Sequence, residues 1–337
     1  MVLENLKRPP SPGSRIFVGL SGGRDSLALL HLINKKILNS DKDSPWRGSE
    51  VKAIHINHKL QTLSDHFETF SKEVCKNLGI HIEIKSLNIH SGTIRKYGLE
   101  AAARQGRFAA FQNILTNDND VLALGHHLDD QIETVFLQWM RGAGMEGLTG
   151  MLILDKKLLN GRLLNVWRPM LETTRVEISK YLKSNNLKWV EDPTNDDLEH
   201  DRNLLRHRVM PMLKLIRSGA PSAMGRSVKH LQSARLLLEK MTNSALEVCE
   251  IKKHSKCNRV KSLSKYSLLQ LDDQLISRVL RAWLIKMGLS VPPTKRLQEF
   301  VRQLRKSSKK TGSLIEVNGE NGYLIVSDIN ELTLKIK

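Results

Sequence analysis

Ser21-Gly22-Gly23-Arg24-Asp25-Ser26 packs two hydroxyls, two glycines and an acid into one short run. Glycines let a backbone approach phosphate, the Ser21 and Ser26 hydroxyls can donate to phosphoryl oxygens, and a helix starting here would add unpaired N–H groups and a favourable dipole. The plain alternative is a turn in which Asp25 or Ser26 caps that helix. No Gly-Lys-Ser/Thr ending follows, which excludes the common phosphate loop whose lysine reaches the terminal phosphates. A second run, Gly125-His126-His127-Leu128-Asp129-Asp130-Gln131-Ile132-Glu133-Thr134, carries two acids three apart. On a helix Asp130 and Glu133 share a face and could hold Mg²⁺, a cationic amine, or both, although the dipole alone also favours acids in a first turn. His126 could help in proton transfer or be a satisfied structural histidine. In Leu99–Phe108, Arg104 and Arg107 fall on one side of a helix, where either could clamp phosphate with its planar fork or lie on a solvated face.

These runs need a scaffold that brings them together. From Arg15 to about Gly150, short β-branched runs alternate with amphipathic stretches, the pattern of βαβ units and a parallel sheet. Strands are expected at 16–20, 51–56, 81–84 and 121–124, with helices near 26–37, 65–78, 99–116 and 129–141. Open sheets of this kind bind ligands beyond the carboxyl ends of their strands, so loops 21–26, 55–60 and 125–130 should converge on one crevice. A fifth strand at 163–167 leads through Arg168-Pro169 to a helix near 173–184. The second half reads as largely helical, with basic periodicity over 201–250 and further helices near 272–287 and 294–306. It ends on Ser313–Val317 and Tyr323–Val326, which read as a β-hairpin turning through Asn318-Gly319 and Asn321-Gly322.

Fifty-three Lys+Arg against thirty-five Asp+Glu give a net charge of +18 over 337 residues, which points to a polyanionic partner and makes two domains the better reading of the length. Prolines at 9, 10 and 12 stand where a signal peptide needs an apolar run, and no apolar stretch is long enough to cross a bilayer. A soluble cytoplasmic protein without a membrane partner is expected. Cys75, Cys249 and Cys257 form no recognised metal-ligand or disulfide pattern.

The Ser21–Ser26 run resembles the signature of the PP-loop ATP pyrophosphatases, which break ATP between the α- and β-phosphates. Several further runs follow in order: His55-Ile56-Asn57-His58, Leu99–Phe108, Gly125–Thr134 with Arg141–Gly144, Arg168-Pro169, Trp189–Asn195, and Arg202-Asn203-Leu204-Leu205-Arg206-His207. Together they resemble the tRNA(Ile)-lysidine synthetase family. That resemblance implies an α/β fold: a parallel-sheet PP-loop, adenine nucleotide α-hydrolase-like catalytic domain over 1–215, and a smaller, mainly helical tRNA-binding domain over 216–337. It also implies a reaction in which ATP adenylates O2 of the wobble cytidine of a CAU-anticodon tRNA(Ile), and free L-lysine then displaces AMP. By position, Ser21, Gly22, Gly23, Arg24, Asp25 and Ser26 would bind ATP, with Arg104 or Arg107 holding the nucleotide. Asp130 and Glu133 would receive the lysine ammonium or Mg²⁺, with His126 beside them and Asp25 and Asp130 as metal-site residues. Arg202, Arg206 and His207 would meet the tRNA backbone, and a homodimer is compatible with the reading. Two departures stand out: Lys59 replaces the family's usual glycine, and the chain reads as a shorter architecture than relatives with an additional C-terminal domain. The rival classes are a sulfur-inserting PP-loop enzyme, an amide-forming synthetase of the same fold, and a non-catalytic RNA-binding protein.

Overall fold

The computed structural model describes residues 11–57, 64–87, 91–159, 162–251, 262–306, 314–317 and 322–336. His58, Lys59, Cys257 and the expected turn at 318–321 lie outside them. The chain forms two compact units, divided between Leu231 and Gln232.

The first unit is built on a six-stranded sheet. Its elements run β1 (Arg15–Gly19), α1 (Arg24–Leu38), β2 (Glu50–Asn57), α2 (Ser64–Leu78), β3 (Ile82–Ser86), α3 (Ser91–Tyr97), α4 (Leu99–Ile114), β4 (Val121–Ala123), α5 (Leu128–Met140), α6 (Met145–Leu148), β5 (Leu154–Leu159), β6 (Arg162–Trp167) and α7 (Arg175–Ser184). Strand order is β3-β2-β1-β4-β6-β5, with every pair parallel except β5 against β6. Strand alternation sorts the core: Ile16 and Val18 face α1, α2 and α7, whereas Phe17, Ile54 and Ile56 face Phe108 and Phe111 of α4. Helices therefore cover both faces, as a doubly wound sheet requires. Arg15 forks onto Asp120 at 2.7 and 2.8 Å, tying the start of β1 to the loop before β4.

The expected strands and helices of this half are present with ends shifted by a few residues. β5 was not anticipated, because Asp155, Lys156 and Lys157 make its sequence read as polar. It pairs antiparallel with β6 and is itself the edge strand, a position where lysines are tolerated and discourage further pairing.

After a 3₁₀ turn at Pro193–Asp196, α8 (Asp201–Leu204) passes through a π-helical turn, Leu205–Val209, into α9 (Met210–Ile216), and then α10 (Ala220–Cys249) follows. Met210 packs on Leu128 and Ile132 of α5. The second unit takes the end of α10, then β7 (Ser262–Ser264), α11 (Lys265–Leu269), α12 (Asp273–Lys286), α13 (Thr294–Lys306), β8 (Leu314–Val317), β9 (Tyr323–Ser327) and β10 (Glu331–Ile336). The expected hairpin is the β8–β9 pair, but it belongs to a four-stranded antiparallel sheet, β7-β10-β9-β8. Its core gathers Ile276, Leu280 and Trp283 of α12, Phe300 of α13 and Tyr323 and Ile325 of β9. No described helix is long and apolar enough to cross a membrane.

Candidate active site

At the carboxyl end of β1, Leu20 N–H still pairs with the Ile54 carbonyl at 2.8 Å, and then the chain leaves the sheet. Ser21 and Ser26 hydroxyls meet at 3.0 Å, Ser26 Oγ accepts from Ser21 N–H at 3.1 Å, and Ser26 Oγ donates to the Gly23 carbonyl at 3.1 Å. Gly22 has φ +84°, a left-handed conformation, and a β-carbon there would stand 3.0 Å from Phe67. Gly23 caps α1 without a side-chain hydrogen bond, so the N–H groups opening that helix are not closed off by their own cap.

A crevice of about 680 Å³ opens here, lined by Ser21, Gly23, Arg24, Asp25 and Ser26 of the loop, His55 and Asn57 of β2, Gly125 and His126 after β4, and Arg104 and Arg107 of α4. Loops 21–26, 55–57 and 125–126 thus converge as the strand order requires. Gly125 is what permits the approach: a β-carbon there would lie 2.9 Å from the Asp25 carbonyl.

His127 joins the loop to the acidic helix. It caps α5, its Nδ1 accepting from Asp130 N–H at 3.3 Å while Asp130 accepts from His127 N–H at 3.0 Å. Its Nε2 stands 3.6 Å from Asp25 and 3.5 Å from Asp130, so both carboxylates address one imidazole nitrogen. Burial pushes the Asp25 carboxyl up, but His127 and the Arg24 guanidinium at 3.1 Å outweigh it and hold the pKa at about 2. Burial disfavours imidazolium at His127, yet Asp25, Asp130 and Asp129 around it raise its pKa. Protonation would cost the Nδ1 cap bond and turn that nitrogen toward Asp129, 3.7 Å away.

Asp130 and Glu133 do share a helix face, and two guanidinium groups cover them. Arg202 places Nε 2.7 Å from Glu133 and Nη2 2.9 Å from Asp130; Arg206 places Nε 2.7 Å and Nη2 2.9 Å from the two Glu133 oxygens. Glu133 is 1% exposed. Both arginines come from α8 and the π-helical turn, a distortion that recurs at functional sites. The neighbouring His207 is exposed, its Nε2 3.8 Å from Asp196. His126 lines the crevice, with its pKa pushed well down by burial and then by Arg168, Arg202, Arg104 and Arg107.

The sequence runs also held positions to which no role had been assigned. Val190, Glu191, Asp192 and Thr194 line the crevice, and Val190 N–H donates to the Gly22 carbonyl at 3.4 Å. Asn203 explains part of the Pro193–Asn195 spacing, since its amide donates to the Thr194 and Asp197 carbonyls at 2.9 and 2.8 Å. The signal was the Asp-Pro-Thr-Asn turn itself. Among the described residues no group of three or more His, Cys, Asp or Glu side chains is arranged around a metal position. Asp25 and Asp130, on either side of the His127 imidazole, are the carboxylates there that could hold a divalent ion.

A PP-loop domain model matches residues 2–213, and a TilS substrate binding domain model matches residues 263–325. The tRNA(Ile)-lysidine synthase of Legionella pneumophila strain Lens is 35% identical over 290 residues, 86% of this chain and 62% of that protein. The enzyme of the same name from Actinobacillus pleuropneumoniae serotype 3 is 32% identical over 307 residues, 90% of this chain and 67% of its relative. The chain belongs to the tRNA(Ile)-lysidine synthase family. It spans about three-fifths to two-thirds of the length of these relatives. Among solved structures, the U34-tRNA thiolase NcsA of Methanococcus maripaludis, with its 4Fe-4S cluster, superposes with a TM-score of 0.52. At 19% identity, covering 68% of this chain and 76% of that one, it is a likeness of fold.

Proposed function

We propose that the chain is an ATP-dependent tRNA(Ile)-lysidine synthase that joins L-lysine to C2 of the wobble cytidine, position 34, of a CAU-anticodon tRNA(Ile), changing codon reading from AUG to AUA. One observation carries the reading. Asp25 of the glycine-rich loop and Asp130 of the acidic pair flank the same His127 nitrogen, so a nucleotide on the loop lies beside carboxylates suited to an amine. Cytidine O2 attacks the α-phosphorus of ATP and pyrophosphate leaves. The lysine ε-amine, having given up a proton, then attacks C2, and AMP departs with O2. Ser21–Ser26 hold the phosphates, with Arg104 or Arg107 on the nucleotide. Asp25 and Asp130 would hold Mg²⁺, which would neutralise charge on the leaving pyrophosphate. Asp130 and Glu133 receive the lysine ammonium in exchange for guanidinium, and they or His126 take its proton.

Residues 1–215 serve as the catalytic domain and 216–337 as the basic tRNA-binding domain, acting in the cytoplasm. Arg202, Arg206 and His207 turn to RNA phosphates when tRNA binds, and a homodimer fits this scheme. The alternative, a sulfur-inserting enzyme, needs accessible thiolates. Among the described residues the cysteines are Cys75 and Cys249; both are buried, and burial pushes both thiols to about 11, which disfavours them for that chemistry. The test is incubation with CAU-anticodon tRNA(Ile), ATP, Mg²⁺ and radiolabelled lysine. Label should enter the tRNA only with ATP present, and its absence under all conditions removes the reading.

A further inference from the structure

The first unit gathers cations near His126, Arg168 and Arg104 among them. Lys157 of β5 sets Nζ 4.2 Å from the centre of the Phe108 ring, and Arg104 brings its guanidinium to 5.7 Å from the same ring. Arg168, at the end of β6, is 2% exposed; Nη1 donates to the Leu152 carbonyl at 2.9 Å and lies 3.5 Å from Asp155. Burial, then repulsion from Arg104 and Arg168, lowers the Lys157 pKa, with Asp155 opposing. Arg104 is exposed, Lys157 half-buried and Arg168 buried beside Asp155, so one carboxylate faces three cations and a further anion would complete the group. Two buried nitrogens also lack a protein partner: His126 Nδ1 and Arg168 Nε. Native proteins seldom leave such atoms orphaned, and each one calls for a ligand or water. His126, Arg104 and Phe108 line the crevice, and Gly125 abuts the Asp25 backbone, so this cationic cup opens beside the phosphate loop.

We propose that Arg104, Lys157, Arg168 and His126 form a second oxyanion subsite, separate from the Ser21–Ser26 loop, that takes an oxyanion of the co-substrate while nucleotide occupies the loop. This assignment rests on the ligase reading for its ligands and leaves Arg107 as the nucleotide arginine. Two sources share the chemistry: the α-carboxylate of free lysine, and a phosphodiester adjoining the reacting cytidine. An amino acid bound by its ammonium alone would leave its carboxylate uncompensated, whereas a cup of three cations and an unprotonated imidazole matches either oxyanion.

The full chain and its Lys157→Met and Arg104→Gln variants separate the cases, with Lys157→Gln replacing Lys157→Met should the latter melt early. Binding is measured for L-lysine, for 1,5-diaminopentane, which is lysine without its carboxylate, for a CAU-anticodon stem-loop RNA, for ATP and for inorganic sulfate. A carboxylate partner predicts L-lysine weakened roughly tenfold in each variant and 1,5-diaminopentane changed less than about twofold. A phosphodiester partner predicts unchanged lysine binding and an RNA salt slope lower by about one. Unchanged binding of lysine, RNA and sulfate overturns the subsite, and so does weakening confined to ATP. Wild-type protein that takes sulfate in a Lys157-dependent manner but binds neither lysine nor RNA keeps the subsite and removes the ligase reading.

Discussion

Four side chains, Asp130, Glu133, Arg202 and Arg206, form a closed set of charge-assisted hydrogen bonds that is nearly shut off from water on the Glu133 side. Removing Arg206 leaves the buried Glu133 with Arg202 as its remaining guanidinium and takes away two of its charge-assisted bonds. Arg206→Ala should lower stability by about 1–3 kcal/mol in denaturant titration, and adding Glu133→Gln should recover part of that loss. Additive losses would mean that the two do not couple. For function, Asp130→Ala and Glu133→Ala should abolish lysine transfer while tRNA binding survives; unchanged turnover in both removes them from the site. The Asp25–His127 contact predicts a pH signature. Asp25, depressed to about 2 from 3.8, contributes stability above 3.8 that is lost as pH falls toward 2. His127 is raised from 6.5, so its contribution is complete below 6.5 and lost as pH rises through the higher folded value. The melting-temperature difference between wild type and Asp25→Asn should therefore be largest between about pH 4 and 6.5. A flat difference across that range would disconnect the pair.

At the scale of elements, the site depends on how closely two loops can approach. The turn after β4 rests on the first turn of α1 because Gly125 has no side chain, and α5 is in turn fixed by its His127 capping box and by the Leu128 N–H bond to the Thr173 carbonyl at 2.8 Å. Asp129 accepts from Arg175 N–H at 2.9 Å, tying α5 to the start of α7. Gly125→Ala must push the loop and helix apart, with a cost of about 1–3 kcal/mol. ATP should bind at least several-fold more weakly in this variant. Calorimetry that finds wild-type affinity would show that the loop tolerates the displacement.

For the molecule as a whole, a charge of +18 sets the expected behaviour toward RNA. Phosphate neutralisation releases counterions, so affinity for tRNA should fall at least about tenfold between 50 and 200 mM salt, while ATP affinity moves far less. Equal salt dependence for both ligands would place the basic surplus outside RNA binding. Each unit owns a hydrophobic core, one on either face of a parallel sheet and the other between α12, α13 and an antiparallel sheet.

The alternation of apolar residues determined the parallel strands and the helices between them, because pleat and helix periods are local properties of a chain. Ser21–Ser26 and Gly125–Thr134 were legible as strand-end loops for the same reason, and their convergence followed from sheet topology. β5 was not legible, since its lysines read as a polar run although an edge strand tolerates them. Nor was the pairing of Arg202 with Glu133, 69 residues away, or the gathering of Arg104 and Arg168 near His126 and of Lys157 beside both arginines. Read along the chain, those arginines are surface charges awaiting phosphate. Only the folded backbone decides which charges meet and which lose water, because Coulomb energy and desolvation depend on separation and burial in space and carry no period in sequence.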